Sequence, residues 1–141
     1  MIAIDTNLLV YAHRSSMPQH RAAREAIEEA LEEAVGCGIA APSVAEFWAV
    51  VTHSATDRPS KPEEALGFLA ALGDGGVEIW PMTGDAATRM PRIARDLGVR
   101  GVRIFDLQIA LTALDAGATE IWTHDRNFVR VPGLKVRDPL G

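Results

Sequence analysis

The sequence is short of the features that would commit it to most kinds of partner. Cys37 is its only cysteine, so no intrachain disulfide can form and a reducing compartment is the simpler expectation. Aromatic residues make up 6% of the 141 positions, which leaves the packing to Ala, Leu, Val and Ile. Positive charge is scarce: 14 Lys and Arg stand against 19 Asp and Glu, for a net charge of −5. A domain held to nucleic acid by a wide phosphate footprint is usually basic, so any such contact here should be small, local or mediated by metal. No apolar run approaches the ~20 residues of a membrane span. The first residues already read as a core strand with no basic stretch before them, so no signal peptide is expected. The expectation is a soluble, cytoplasmic protein with no membrane partner. Internal repeats, low-complexity tracts and linkers are also missing. Residues 1–141 therefore read as one domain, and 48% hydrophobic content is enough for a full core.

What is present is an alternation of short apolar runs with helices. Ile2-Ala3-Ile4 reads as a buried strand that stops at Asp5, with a helical stretch, Leu8 to Ala12, directly after it. A strong helix follows from about Pro18 to Val35. Ala23, Ile27, Leu31 and Val35 form one stripe, Ala26, Ala30 and Ala34 lie beside it, and Glu25, Glu28, Glu29, Glu32 and Glu33 cover a solvated face. Ser16 and Gln19 have capping-box spacing, and Gly36 and Gly38 end the helix. Ile39-Ala40-Ala41 is a second strand, stopped by Pro42. A helix opening at Ser43 carries Val44, Phe47, Trp48 and Val51. After a loop from Thr56, another helix runs from about Pro62 to Leu72 with Ala65, Leu66, Leu69 and Leu72 inward. Val77 to Trp80 is a third strand. Gly84 to Leu97 is helical, with Pro91 expected to kink or divide it. Residues 98–103 form a loop, and Ile104 to Ala116 a helix. Glu120 to Thr123 and Leu134 to Val136 are the last strands, joined by a turn or short helix at His124 to Phe128. This pattern is an α/β domain with a mainly parallel sheet.

Four carboxylates share a placement. Asp5 ends the first strand, Glu46 lies in the first turn of the helix after the second, Asp106 opens the helix before the fourth, and Asp125 follows the fourth. In a parallel sheet, strand ends and the starts of the following helices lie on one edge, where functional groups collect. Each acid also has a plain structural use. Glu46 has capping-box spacing with Ser43, Asp106 could cap its helix, and Asp125 could bond its own turn. Asp5, at the tip of a central strand, has no such simple use. Clustered carboxylates raise each other's pKa unless a counter-charge is present. Mg²⁺ or Mn²⁺ would supply one, polarise a phosphoryl oxygen and lower the pKa of a bound water. Phosphodiester hydrolysis is the natural chemistry of such a site.

Other polar residues are less telling. His13, His20, His53 and His124 are scattered, with no triad partner in view. Cys37 reads as inert, and Trp48, Trp80 and Trp122 as core or interface residues. Arg14, Arg100, Arg103 and Arg126, in loops near the acidic edge, are candidate phosphate contacts. Leu8, Leu9 and Tyr11, with the helix from Ser43, could supply a dimer face.

Taken together, the motifs resemble the PIN-domain nucleases, and more narrowly the VapC-type toxins of bacterial toxin–antitoxin pairs. The resemblance rests on Ile4-Asp5-Thr6-Asn7, Ser43-Val44-Ala45-Glu46, Phe105-Asp106-Leu107-Gln108-Ile109-Ala110 and Trp122 to Phe128, with Pro132 to Val136 and Asp138-Pro139-Leu140 at the end. It implies a five-stranded parallel sheet between helices and a Mg²⁺ or Mn²⁺ pocket. It implies metal-dependent hydrolysis of RNA, with Asp5 and Asp106 as main ligands. Glu46 would act through a water or as an orienting base, and Asp125 would complete a second metal position. Thr6, Asn7 and Thr123 match positions that orient the first carboxylate or meet metal-bound water. A cognate antitoxin, binding by a helix in a groove, and a homodimer are implied too. Relatives often carry an aspartate where this chain has Asn127, a departure that would weaken an outer metal. Two other readings are open. An aspartate-dependent phosphotransferase or phosphatase usually needs a second acid soon after the first, where this chain has Thr6-Asn7. A non-catalytic binding module has no need to keep all four acids.

Overall fold

A computed structural model describes residues 1–33 and 35–141. In chain order the elements are β1 (Ile2–Ile4), α1 (Thr6–His13), α2 (His20–Glu32), β2 (Cys37–Ala40), α3 (Ala41–Thr52), α4 (Pro62–Asp74), β3 (Glu78–Trp80), α5 (Gly84–Leu97), a 3-10 turn (Gly101–Arg103), α6 (Ile104–Asp115), β4 (Glu120–Trp122) and β5 (Lys135–Arg137). The five strands form one sheet of order β3-β2-β1-β4-β5, and every pairing is parallel. The expected α/β architecture with a central five-stranded parallel sheet is the one observed.

β1 is apolar at every position because it is the middle strand and both its faces are covered. Ile2 and Ile4 pack with Leu8, Leu9, Ile27 and Phe47 on the side of α1, α2, α3 and α4. Ala3 points the other way, into a cluster with Trp80, Leu107, Ile121 and Phe128 beneath α5 and α6. That split is the two-residue strand period. Strand β2 passes close to β3 at Gly38, where a Cβ would stand 2.5 Å from the Trp80 ring. A side chain is therefore excluded there by packing.

Three of the helices begin for a plain local reason. Asp5 caps α1 by accepting the Thr6 backbone N–H at 2.8 Å, and Pro42 sits in the first turn of α3, where its missing N–H costs nothing. Thr83 caps α5 through the Ala86 N–H at 3.0 Å, and Gly98 closes it in the left-handed conformation at φ 70°.

Several expected boundaries move. Helix α2 ends at Glu32, so Val35 is not part of its core stripe and is 58% exposed; Ala34 lies outside the described residues. Gln19, not Ser16, precedes that helix, and it makes no side-chain cap bond. Ala41 belongs to α3 instead of extending β2, because Pro42 starts a helix here. Leu66 faces out from α4. Proline 91 does not divide α5, which runs unbroken from Gly84 to Leu97; Pro91 is exposed, so the helix carbonyl it cannot pair faces water. Leu8 and Leu9, expected at a dimer face, are buried in the core beside β1, since α1 lies flat on the sheet. No helix among the described residues is long and apolar enough to cross a membrane.

Candidate functional site

The parallel sheet places the ends of β1, β2 and β4 on one edge. Helix α6 runs back against the strands, so its first turn reaches that edge too. The result is a cleft of about 340 Å³ lined by Asp5, Thr6, Asn7, Val10, Tyr11, Glu46, Val50, Asp106 and Asp125. All four expected acids line it, each from a different element.

Asp5 is the best held. It is 6% exposed, and the Thr123 hydroxyl donates to its Oδ2 at 2.7 Å. Thr123 in turn accepts from the Asn7 amide at 3.2 Å and from the Asp125 backbone N–H at 3.0 Å. One buried hydroxyl thus links three residues of the site. Asn7 Oδ1 also accepts the His124 N–H at 3.3 Å, which seats the loop after β4 against the start of α1. The residues expected to support Asp5 are all in contact with it or with Thr123.

Glu46 is not a helix cap. Ser43 lies inside α3, its Oγ is buried and makes no hydrogen bond among the described residues, and Glu46 Oε1 instead accepts from the Thr6 hydroxyl at 3.4 Å. Asp106 sits in the first turn of α6, with Arg103 in the cap position. Asp125 does serve its turn, accepting the Asn127 N–H at 2.9 Å, and it lines the cleft as well. Asn127 is otherwise exposed, and its carbonyl accepts from the Arg103 guanidinium at 2.8 Å.

The electrostatics follow from this crowding. Burial, with Glu46 and Asp125 nearby, pushes the Asp5 carboxyl up from 3.8 to about 6, against the opposing bonds from Thr123 and Thr6. Asp106 is pushed to about 6 by burial, Asp5 and Asp125, with Arg103 pulling the other way. Partial burial and Asp106 hold Glu46 above its ordinary value, eased by the Thr6 hydroxyl. Negative charge is costly here and a cation would relieve it. Among the described residues no three carboxylates already converge as a closed metal cage does. Mg²⁺ does not require that, because it keeps several waters and takes one or two protein carboxylates. The donors are hard oxygens, which fits Mg²⁺ or Mn²⁺ and not a thiolate metal.

The candidate arginines separate. Arg14 donates to the carbonyls of Val51, Asp57 and Arg58 at 3.0–3.1 Å, so its guanidinium is committed to the α3–α4 loop. Arg103 bridges the start of α6 to the Asp125 turn. Arg100 and Arg126 are exposed. The remaining polar residues are structural or distant. His13 bonds Ser60 at 2.8 Å and packs edge-on against the stacked rings of Phe47 and Phe68, and burial, then Arg14, lowers its pKa. Burial raises the Cys37 thiol to about 11, far from reactive. Trp80 and Trp122 are core residues, while Trp48 is exposed. A larger cleft of about 470 Å³ lies between α1, α2 and α4, with His13, His20 and Arg24 on its walls and none of the four acids.

Two features were not legible as site residues beforehand. Tyr11, expected at a dimer face, lines the acidic cleft; its spacing of four from Asn7 was the available signal. His124 pairs with Asp138 at 2.9 Å, a partner supplied by the chain end after β5.

Residues 2–134 match the family described as PIN domain. Ribonuclease VapC43 of Mycobacterium tuberculosis is 30% identical over 99% of this chain and 96% of its own length, and ribonuclease VapC48 of the same species is 26% identical over 96% of this chain and 95% of its own. Among solved structures, M. tuberculosis VapC20, described as a sarcin-ricin loop cleaving toxin, superposes with a TM-score of 0.73 at 14% identity, covering 98% of this chain and all of that one. VapBC2 from Rickettsia felis, bound to promoter DNA, gives 0.71 at 22% identity over 97% of this chain and 98% of that one. With its fold, its ordered motifs and a match over nearly its whole length, the chain belongs to the PIN-domain family and, within it, to the VapC group.

Proposed function

We propose that the acidic cleft binds Mg²⁺ or Mn²⁺ and hydrolyses RNA phosphodiester bonds, and that the protein is the toxin of a toxin–antitoxin pair. One observation carries the reading. Four carboxylates from four elements line one cleft, and two of them are pushed to about 6, with Arg103 the one cation opposing that charge among the described residues. The ribonuclease names of the relatives at 26–30% identity support the same chemistry.

Asp5 and Asp106 would hold the ion, with Asp125 beside them. When bound, the ion supplies a Lewis acid for the phosphoryl oxygen and a water of lowered pKa. Thr123 and the Thr6 N–H keep both Asp5 oxygens oriented toward the cleft edge, so little reorganisation is needed on loading. Glu46, held among the described residues by the long Thr6 contact alone, is placed to accept a proton from the attacking water or to orient it. Arg100, Arg103 and Arg126 would meet the flanking phosphates, Arg103 with the donors its bond to Asn127 leaves free.

Partners follow from the same membership. The groove between α1, α2 and α4 offers an apolar floor, Ile27, Leu31, Phe68 and Leu72, with Arg24 and Glu28 on its rim, as an amphipathic antitoxin helix requires. Exposed Trp48 on α3, with Phe105 on α6, marks the apolar surface that a homodimer would cover.

The test compares purified wild type with Asp5→Asn on RNA, with Mg²⁺, Mn²⁺ or chelator. Cleavage should need the ion and vanish in Asp5→Asn while the folded signal persists. Undiminished, ion-dependent cleavage by Asp5→Asn would sink the assignment.

A further inference from the structure

We infer that Tyr11 is the platform on which the nucleobase beside the scissile phosphate stacks, its ring held in place from behind by His124 and Asp138. The inference rests on the ribonuclease reading and names the part of the substrate that the acids cannot recognise.

Tyr11 is the only tyrosine in the chain. It lines the same cleft as the four acids, in company with Val10 and Val50, and is half-buried, not part of the core. Its hydroxyl makes no hydrogen bond among the described residues, so nothing in the fold uses the polar end of the side chain. What the fold does use is the ring's position. The His124 imidazole meets it edge-on, with centroids 6.0 Å apart and planes at 75°. That imidazole is fixed in turn by Asp138, whose carboxylate oxygens lie 2.9 and 3.1 Å from Nδ1. Asp138 is itself anchored by accepting the Leu140 N–H at 3.0 Å. The backbone beneath is tied down at both ends: His20 Nδ1 lies 2.9 Å from the Tyr11 carbonyl, and the His124 N–H bonds Asn7. Three distant segments, α1, the loop after β4 and the chain end after β5, thus converge to immobilise one aromatic ring at the wall of an acidic cleft.

The charge of the protein gives that ring its use. With a net charge of −5, the protein has no wide phosphate footprint beyond the ion and a few arginines, so a neutral part of RNA is left to supply much of the affinity. Base–aromatic stacking is such a contact, and an unpaired base can supply it while a base inside a helix cannot. Val10 and Val50 extend the apolar wall around it. The substrate feature implied is an unstacked base next to the cleaved bond, in a single strand or a loop.

The experiment uses a short single-stranded oligoribonucleotide cut by the wild type at one mapped bond, beside the same strand made abasic at either nucleotide flanking that bond. Tyr11→Ala should raise KM about tenfold or more on the complete strand with little change in kcat. Tyr11→Phe, which keeps the ring, should recover most of that loss. On the strand lacking the stacked base the wild type should already show the raised KM, and Tyr11→Ala should add nothing. Asp138→Asn should give a smaller rise in KM on the complete strand, because it loosens the ring without removing it. A Tyr11→Ala penalty that is equal on complete and abasic strands overturns the platform and leaves the nuclease reading standing. A Tyr11→Phe variant as poor as Tyr11→Ala overturns it too, by assigning the loss to the hydroxyl. If the wild type cuts no RNA with any divalent ion, the nuclease reading fails and takes this inference with it.

Discussion

The Thr123 hydroxyl donates to Asp5 Oδ2 at 2.7 Å while accepting the Asn7 amide and the Asp125 N–H. It therefore fills its one donor and both acceptor places and sets the relative position of two acids that the chain separates by 120 residues. Thr123→Val keeps the shape and removes every one of those bonds. Divalent-ion affinity should fall about 10–100-fold, as for other groups that orient a metal ligand. Stability should fall by about 1–3 kcal/mol for the unpaired groups left behind. Thr123→Ser should keep both. Calorimetric ion titration and denaturant unfolding check this; wild-type affinity in Thr123→Val would remove the hydroxyl from the site.

The pKa shifts fix a sign for pH dependence in the ion-free protein. Asp5 and Asp106 ionise near 6 when folded and near 3.8 when unfolded. Their contribution to stability is therefore whole below pH 3.8 and lost as pH rises through about 6. For Asp5 the difference is worth roughly 3 kcal/mol. Asp5→Asn cannot lose a proton there, so in chelator it should match the wild type at about pH 4 and exceed it in stability at about pH 7. Mg²⁺ or Mn²⁺ should close that gap only at the higher pH. Urea unfolding of both proteins across the range is the measurement, and parallel curves would refute the shift.

Glu46 separates a capping role from a catalytic one. Since it accepts from Thr6 and not from its own helix start, Glu46→Gln should change stability by less than about 0.5 kcal/mol. Cleavage should nevertheless drop by about 10²-fold or more if the carboxylate handles a proton. A melting temperature that falls along with activity would restore the capping explanation.

Arg14 is expected to matter for the loop it holds and not for RNA. Its carbonyl partners are Val51 at the end of α3, Asp57 and Arg58, and Arg58 is the one non-glycine residue among the described residues with a positive φ, at 53°. Arg14→Ala should cost about 1–3 kcal/mol and open the 53–61 segment to protease, with RNA affinity per folded molecule unchanged. Loss of affinity without faster nicking would return Arg14 to the phosphate contacts.

Gly38→Ala tests the packing beneath the site. The added methyl would meet the Trp80 ring at 2.5 Å, with β2 and β3 already in register at Gly38 and Glu78. A loss of about 1–3 kcal/mol is expected from overpacking, seen as a lower urea midpoint. Trp80→Leu in the same chain should recover part of it by vacating the space.

The amino-acid sequence by itself determined the layout. Apolar runs too short to be helices, the first three each followed by helical periodicity, leave a parallel sheet as the arrangement that buries them. The strand at Ile2–Ile4 then has to carry Asp5 to the sheet edge, and the same logic brings Glu46, Asp106 and Asp125 there. These are consequences of local periodicity and of chain direction, which a linear string records. Boundaries shifted where a residue had two local uses. Pro42 could stop a strand or start a helix, and Ser43 with Glu46 could form a cap or merely share its spacing. Only tertiary structure decided between such uses, because the choice depends on what lies across the fold: Thr6 claims Glu46, the sheet claims Leu8 and Leu9, and the carbonyls of Val51, Asp57 and Arg58 claim Arg14. It also produced what no spacing encodes, the junction of Tyr11, His124 and Asp138. Contacts among residues 11, 124 and 138 exist only once β1, β4 and β5 lie side by side.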